Sequence, residues 1–139
     1  MSASPVKLYT PQVLALATRL AAWPNDPDLP LHGAARSPTC GSSIALSLAT
    51  DDSGAISDLG LAAHACAIGQ AAAAIFCESA KGCTKADLVR TAADLDRWLR
   101  GEGAMPDWPG LDAIAAAQTY PARHGAVLLS WKAAIDALP

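Results

Sequence analysis

The spacing of apolar residues changes along the chain and divides it into helical and strand-like segments. Near the start, apolar residues recur every three or four positions, which predicts a helix that begins at Pro11 with Thr10 as its N-cap and stops at Pro24. The apolar positions of this helix are Val13, Leu16, Ala17, Leu20 and Trp23. The following stretch, 24–38, contains four prolines and is predicted to be a loop.

From Ser42 the larger apolar residues alternate with serine and alanine, which predicts a half-buried strand. The apolar side of this strand carries Ile44, Leu46 and Leu48. Residues 51–54, Asp-Asp-Ser-Gly, have turn chemistry, and 56–65 are predicted to return as the second arm of an antiparallel hairpin. Cys40 lies just before the first arm and Cys66 just after the second. A hairpin folds these ends back beside each other, so the pattern predicts two neighbouring thiols.

The rest of the chain is predicted to be helical. The helices cover 67–79, 84–100, 111–118 and 124–138, with a loop at 101–110. Thr84 and Asp87 have the spacing of a capping box at the start of the second of them. The sequence therefore predicts one α+β domain over residues 1–139. Its small antiparallel sheet, a hairpin plus a short strand, packs against several helices.

Composition narrows the functional classes. Of the 139 residues 52% are hydrophobic and 17% are charged, which indicates a folded domain and not a disordered chain. A formal net charge of −3 supplies no basic surface for a phosphate backbone, so we expect no nucleic-acid partner.

The longest uncharged run, 59–77, is rich in alanine and changes period near Cys66. We therefore predict a strand followed by a buried helix, and no membrane span. No secretory signal is apparent, so we expect a cytoplasmic protein whose four cysteines are free thiols or ligands.

Two stretches resemble a known family. The segment "PTCGSSIALSLATDDSGAISDLGLAAHACAIGQAAAA" has the order Cys-Gly, strand, turn, strand, Cys and alanine-rich helix. It resembles the NifU N-terminal/IscU/SufU family of iron–sulfur cluster assembly scaffolds. The segment "YPARHGAVLLSWKAAIDAL" resembles the C-terminal helix of the SufU branch. The likeness covers residues 8–138 and implies a SufE/NifU-like fold.

The resemblance also implies a site. In the family, three cysteines and an aspartate receive sulfur from a cysteine desulfurase and hold a nascent cluster, or zinc in the SufU branch. Cys40 and Cys66 match the first two cysteines, whereas the aspartate falls on Ser42 and the third cysteine on Ala126. Two of the four ligand positions have thus lost their donor. His124, at the start of the last helix, is our first candidate for a replacement metal ligand.

Other polar residues have a structural interpretation beside the functional one. His64 is the second candidate ligand, although a histidine near the end of an element more often faces solvent or packs. Cys77 is predicted to be core, and Cys83 to be a loop or helix-start residue. Acidification of the Cys83 thiol by the helix N-terminus is the less favoured alternative. Arg123 and Lys132 match basic positions of the SufU-type tail, where they can neutralise thiolates or simply be solvated.

Three functions remain open. The first is a scaffold that binds iron, zinc or a transient [2Fe–2S] cluster through Cys40, Cys66 and His124, and delivers the cluster to recipient apo-proteins. Two cysteines per chain can also complete a four-ligand site in a homodimer. The second is a SufE-type persulfide carrier in which Cys40 accepts sulfur without a metal. The third is a relic whose cysteines only pack. The chain has no nucleophile–base pair, so we expect a binding and delivery protein, at most a sulfurtransferase-type acceptor, and not an enzyme with its own turnover.

Overall fold

The computed structural model describes residues 8–139, and over this range a three-stranded antiparallel sheet packs beside four α-helices. The strands are β1 (Leu31–Arg36), β2 (Ser43–Thr50) and β3 (Ile56–His64), in the spatial order β1-β2-β3. The helices are α1 (Pro11–Arg19), α2 (Ala67–Ser79), α3 (Lys85–Leu99) and α4 (His124–Ala137). Three 3₁₀ segments occupy Leu20–Ala22, Leu111–Thr119 and Pro121–Arg123. The predicted α+β class is confirmed.

One face of the sheet is apolar because its residues alternate in register across the three strands. Leu46 pairs with Leu61 and Leu48 with Leu59, and all four side chains are buried. Helix α4 packs across β1 and β2, and α2 packs against α4 and α1. Trp131 of α4 is fully buried, with its ring centroid 5.2 Å from those of Phe76 and Trp108.

Strand β1 corrects the sequence-based prediction. The stretch 24–38 is not a continuous loop, because residues 31–36 pair with β2 along their whole length. The inward position at the centre of β1 is Gly33, which lacks the apolar side chain that marks a strand. Glycine is required there, since an added Cβ would lie 2.2 Å from the carbonyl oxygen of Ala133 in α4. Gly33 therefore allows α4 to approach the sheet closely. Its missing side chain is also the reason why the sequence pattern did not indicate a strand here.

The remaining elements lie close to their predicted positions. Thr10 caps α1 by accepting a 3.1 Å hydrogen bond from the Val13 N–H. Thr84 and Asp87 form the capping box of α3. The uncharged run divides as predicted into β3, which ends at His64, and α2, which begins at Ala67. Residues 101–110 form neither helix nor strand. No helix within residues 8–139 is both long enough and apolar enough to cross a membrane.

Candidate functional site: a cleft with two cysteines

Cys40 lies in the short turn that joins β1 to β2. The turn is closed by two backbone hydrogen bonds of 2.8 Å, from the Ser37 N–H to the Ser42 carbonyl and from the Gly41 N–H to the Ser37 carbonyl. Gly41 has a φ of 72°, in the left-handed region that favours glycine. The turn thereby places Cys40 at one end of the sheet.

Cys66 lies at the junction between β3 and α2, where it occupies the N-cap position of the helix. Its side chain does not cap the helix. Its backbone is held by Gln70, whose N–H donates to the Cys66 carbonyl at 2.9 Å and whose Nε2 donates to the Ala65 carbonyl at 3.0 Å. The junction is therefore fixed in position, while the Cys66 sulfur is not used to cap the helix.

The two cysteines line one open cleft of about 410 Å³, as the hairpin pattern predicts. Both are half-buried and both are free thiols. The cleft is lined by Cys40, Gly41, Ser42, Ala63, His64, Ala65, Cys66, Gln70 and Arg123. Its polar groups are thus two thiols, a hydroxyl, an imidazole, an amide and a guanidinium.

Two buried hydroxyls surround the Cys40 sulfur. Its Sγ lies 3.4 Å from Ser37 Oγ and 3.1 Å from Ser42 Oγ, and these serines are only 2% and 4% exposed. Partial burial is the largest single influence on the thiol and acts to raise its pKa. The hydrogen bonds of Ser37 and Ser42, together with the charge of Arg123, outweigh that effect, so the pKa of Cys40 is lowered.

Ser37 is a site residue that the sequence pattern did not identify. It occupies a space left by Gly125 of α4, where an added Cβ would lie 2.4 Å from Ser37 Oγ. The only signal in the sequence is a hydroxyl three residues before Cys40. That spacing becomes meaningful once the turn is known to close between Ser37 and Ser42.

The two positions where the resemblance implies further ligands, Ser42 and Ala126, are both buried but have different surroundings. Ser42 retains contact with the Cys40 sulfur through its hydroxyl. Ala126 is 1% exposed and lies against α2, where a Cβ added to Gly69 would be 3.4 Å from the Ala126 Cβ. The position of the third cysteine is therefore filled by a methyl group at the contact between two helices.

The candidate histidines lie in different places. His64 is exposed and lines the cleft. His124 is half-buried, its Nε2 lies 2.9 Å from the Gln118 carbonyl oxygen, and it is not among the residues that line the cleft. Within residues 8–139, no three His, Cys, Asp or Glu side chains are grouped so that they could hold a metal ion. A metal role for His124 stays a prediction.

Of the other basic residues and thiols that the sequence singled out, Arg123 lines the cleft. Lys132, Cys77 and Cys83 do not. Lys132 is exposed on α4. Cys77 is core, as predicted, and burial raises the pKa of its thiol to about 12. The less favoured alternative, an acidified Cys83, is not what the structure shows. Burial and the nearby Asp87 carboxylate raise the pKa of its thiol, which donates to the Ser79 carbonyl at 3.5 Å.

Comparisons with known proteins identify the fold. No protein-family model matches the chain, and no curated protein matches it. Among solved structures, a nitrogen-fixing NifU-like protein (N-terminal) from Brucella abortus superposes with a TM-score of 0.84 at 24% identity, covering 94% of this chain and 91% of that one. A second match is a proposed iron–sulfur cluster assembly scaffold protein for the SUF system from Fervidobacterium islandicum AW-1. It has a TM-score of 0.81 at 21% identity and covers 95% of this chain and 97% of that one. The resemblance inferred from the sequence is confirmed in the structure: the chain has the fold of NifU-like and SufU proteins.

Proposed function

We propose that this protein acts in iron–sulfur cluster assembly and that Cys40 accepts sulfur from a cysteine desulfurase. The observation that carries the proposal is the environment of the Cys40 sulfur, which faces an open cleft and is surrounded by two buried hydroxyls and a nearby guanidinium. A thiolate is the nucleophile in sulfur exchange, and hydrogen bonds and positive charge favour it. The fold shared with an iron–sulfur scaffold protein supports the pathway class.

The sulfur-transfer step needs no group beyond the two proteins. The Cys40 thiolate attacks the outer sulfur of a persulfide on the desulfurase. A sulfur–sulfur bond forms at Cys40, and the bond between the two sulfurs of the donor breaks. The donor leaves as a thiolate, and Cys40 carries the persulfide. Ser37, Ser42 and Arg123 hold the attacking sulfur and balance its charge. A reducing compartment such as the cytoplasm keeps the four cysteines available as thiols.

Binding of a metal or cluster as cargo is a second candidate, favoured by the presence of both thiols in one cleft. The donors within one chain do not fit a closed zinc site. Zinc takes four ligands, whereas Cys40 and Cys66 supply two, Ser42 offers a hydroxyl and Ala126 offers none. Completion by His124, as the sequence suggests, or by a second copy of the chain would be needed for iron, zinc or a [2Fe–2S] cluster. Sulfur acceptance requires no missing donor, so we place it first.

Mass spectrometry of the protein after incubation with a cysteine desulfurase and L-cysteine without oxygen tests the proposal. We expect the mass of one added sulfur atom on the peptide that contains Cys40. The Cys40→Ser variant should not gain it, and the matched control Cys83→Ser should gain it as the wild type does. A chain that gains no sulfur at Cys40 with any desulfurase of the SUF or ISC type would contradict the proposal and leave metal binding or the relic interpretation.

A further inference from the structure

Cys66 is the one other thiol that the structure places in the cleft with Cys40, among residues 8–139. Cys77 is buried and lies eleven residues after Cys66, which corresponds to about 16 Å of helix rise. Cys83 does not line the cleft. Any chemistry between a sulfur carried on Cys40 and a second thiol of the same chain therefore involves Cys66.

The local structure suits a reaction between these two residues. Ser43 and His64 are cross-strand partners, so the segments that carry Cys40 and Cys66 leave adjacent strands, which lie about 4.8 Å apart in a sheet. Gln70 holds the Cys66 backbone at the start of α2. On the other side, a Cβ added to Gly41 would meet nothing within 4 Å, so the turn that carries Cys40 has open space beside it. The Cys66 backbone is thus held in place, and the turn that carries Cys40 borders open space.

We propose that Cys66 is the resolving thiol for a persulfide carried on Cys40, an inference that rests on the proposed acceptance of sulfur by Cys40. The Cys66 thiolate attacks the inner sulfur of the Cys40 persulfide. A disulfide forms between Cys40 and Cys66, the bond to the terminal sulfur breaks, and that sulfur leaves with the bonding electron pair as hydrosulfide. The Cys66 sulfur is oxidised as it enters the disulfide, the Cys40 sulfur keeps its oxidation state, and the terminal sulfur is reduced to hydrosulfide.

This step gives the protein a defined place in a reaction sequence. A persulfide donor must act before it, and a sulfide-consuming reaction follows it. A dithiol reductant then opens the Cys40–Cys66 disulfide and becomes a disulfide itself, which returns the protein to its two-thiol form. The loss of two metal ligands fits this use, because two thiols without further donors form a redox pair more readily than a metal site.

The experiment loads the reduced full chain with sodium polysulfide without oxygen, removes the excess and follows the products over time. Hydrosulfide is trapped with a bimane reagent, and persulfide and disulfide are located by peptide mass spectrometry. In the wild type we expect the Cys40 persulfide to decay while hydrosulfide and a Cys40–Cys66 disulfide appear in equal amounts. In Cys66→Ser and Cys66→Ala the Cys40 persulfide should persist and release hydrosulfide at least about tenfold more slowly. The matched control Cys83→Ser should behave as the wild type does.

The outcomes separate the two proposals. Equal rates of hydrosulfide release in the wild type and both Cys66 variants, with persulfide present on Cys40, would overturn the resolving role and leave sulfur acceptance intact. A stable Cys40 persulfide in the wild type would do the same. Absence of persulfide on Cys40 in the wild type and in the Cys66 variants would contradict the proposed function itself, and this inference with it.

Discussion

Cys40 differs from the other cysteines through the side chains that contact its sulfur. Ser42 occupies the position where the resemblance implies an aspartate, and its hydroxyl lies 3.1 Å from the Cys40 sulfur. A hydroxyl donates a hydrogen bond to a thiolate, but it is a weak metal ligand beside a carboxylate. The substitution thus favours a reactive sulfur over a bound metal at this position.

Removal of the serine hydroxyls should make Cys40 less reactive. In Ser42→Ala and Ser37→Ala we expect the pKa of Cys40 to rise, because each variant loses a hydrogen bond to the thiolate. The pH profile of Cys40 alkylation by iodoacetamide, read by peptide mass spectrometry, should shift to higher pH. The exposed Ser57→Ala is the matched control and should leave the profile unchanged. Identical profiles in all three variants would contradict the role of the hydroxyls.

Cys77 should make the stability of the protein depend on alkaline pH. Its pKa is raised from 9.0 to about 12 by burial, so the unfolded thiol releases its proton at a lower pH than the folded one. The contribution of Cys77 is therefore intact below pH 9.0 and is lost as the pH rises towards 12, by at most about 1.4 kcal/mol per pH unit. Urea denaturation from pH 8 to 11 should show a steeper loss of stability in the wild type than in Cys77→Ala. Parallel curves would mean that the thiol is not protected from ionisation.

At the scale of elements, the packing of β1 against α4 supports the turn that carries Cys40. Strand β1 ends at Arg36, and Ser37 follows with its hydroxyl against Gly125 of α4. The same two elements meet closely at Gly33. The position of Cys40 therefore depends on how closely the strand and the helix approach.

Gly33→Ala should destabilise the protein. The new Cβ would lie 2.2 Å from the Ala133 carbonyl oxygen and 2.6 Å from the Ala137 nitrogen, which are backbone atoms that cannot rotate away. Overpacking of this kind costs about 1–3 kcal/mol, measured as a lower urea midpoint. His32→Ala, at the exposed neighbouring position of β1, is the control and should change the midpoint little. An unchanged midpoint in Gly33→Ala would show that α4 can move away from the sheet at no cost.

The hairpin could be predicted from the sequence, whereas β1 and the serine contacts could not. The first arm of the hairpin has apolar residues at every second position, and its turn has the residues Asp-Asp-Ser-Gly, with Gly54 at a φ of 84° in the structure; both sequence signals are local. Strand β1 is identified by its pairing with β2 and by the approach of α4, which are contacts between distant parts of the chain. The same holds for Ser37, whose contact with Cys40 depends on closure of the turn. His124 was chosen by its position relative to Ala126, but its orientation towards Gln118 depends on the intervening 3₁₀ segments.

At the scale of the whole molecule, the chain has a NifU-like fold and two cysteines in one cleft, where the resemblance implies four ligands. The β1–β2 turn and the junction between β3 and α2 bring Cys40 and Cys66 to one cleft, and the 3₁₀ segment before α4 adds Arg123 to its lining. Ala126, where the resemblance implies the third cysteine, is part of the contact between α2 and α4. The fold is therefore compatible with a two-thiol site.

Restoration of the two missing donors should restore metal binding. The double variant Ser42→Asp/Ala126→Cys regains a carboxylate and a thiolate, so we expect about one zinc per chain after reconstitution, against well below one in the wild type. Zinc, iron and acid-labile sulfide in protein purified without oxygen provide the measurement, with Cys40→Ala/Cys66→Ala as the control. Near-stoichiometric metal in the wild type, lost in that control, would favour the scaffold and make His124→Ala the next variant.

Site-resolved alkylation of the native protein tests the central claim, that Cys40 is the reactive thiol of this molecule. The wild type is treated briefly with iodoacetamide at neutral pH, and the labelled fraction of each cysteine is read by peptide mass spectrometry. The lowered pKa of Cys40, the raised pKa of Cys83 and the burial of Cys77 predict that Cys40 is labelled well before Cys83 and that Cys77 is not labelled until the protein unfolds. Labelling of Cys40 no faster than that of Cys83 would contradict the account.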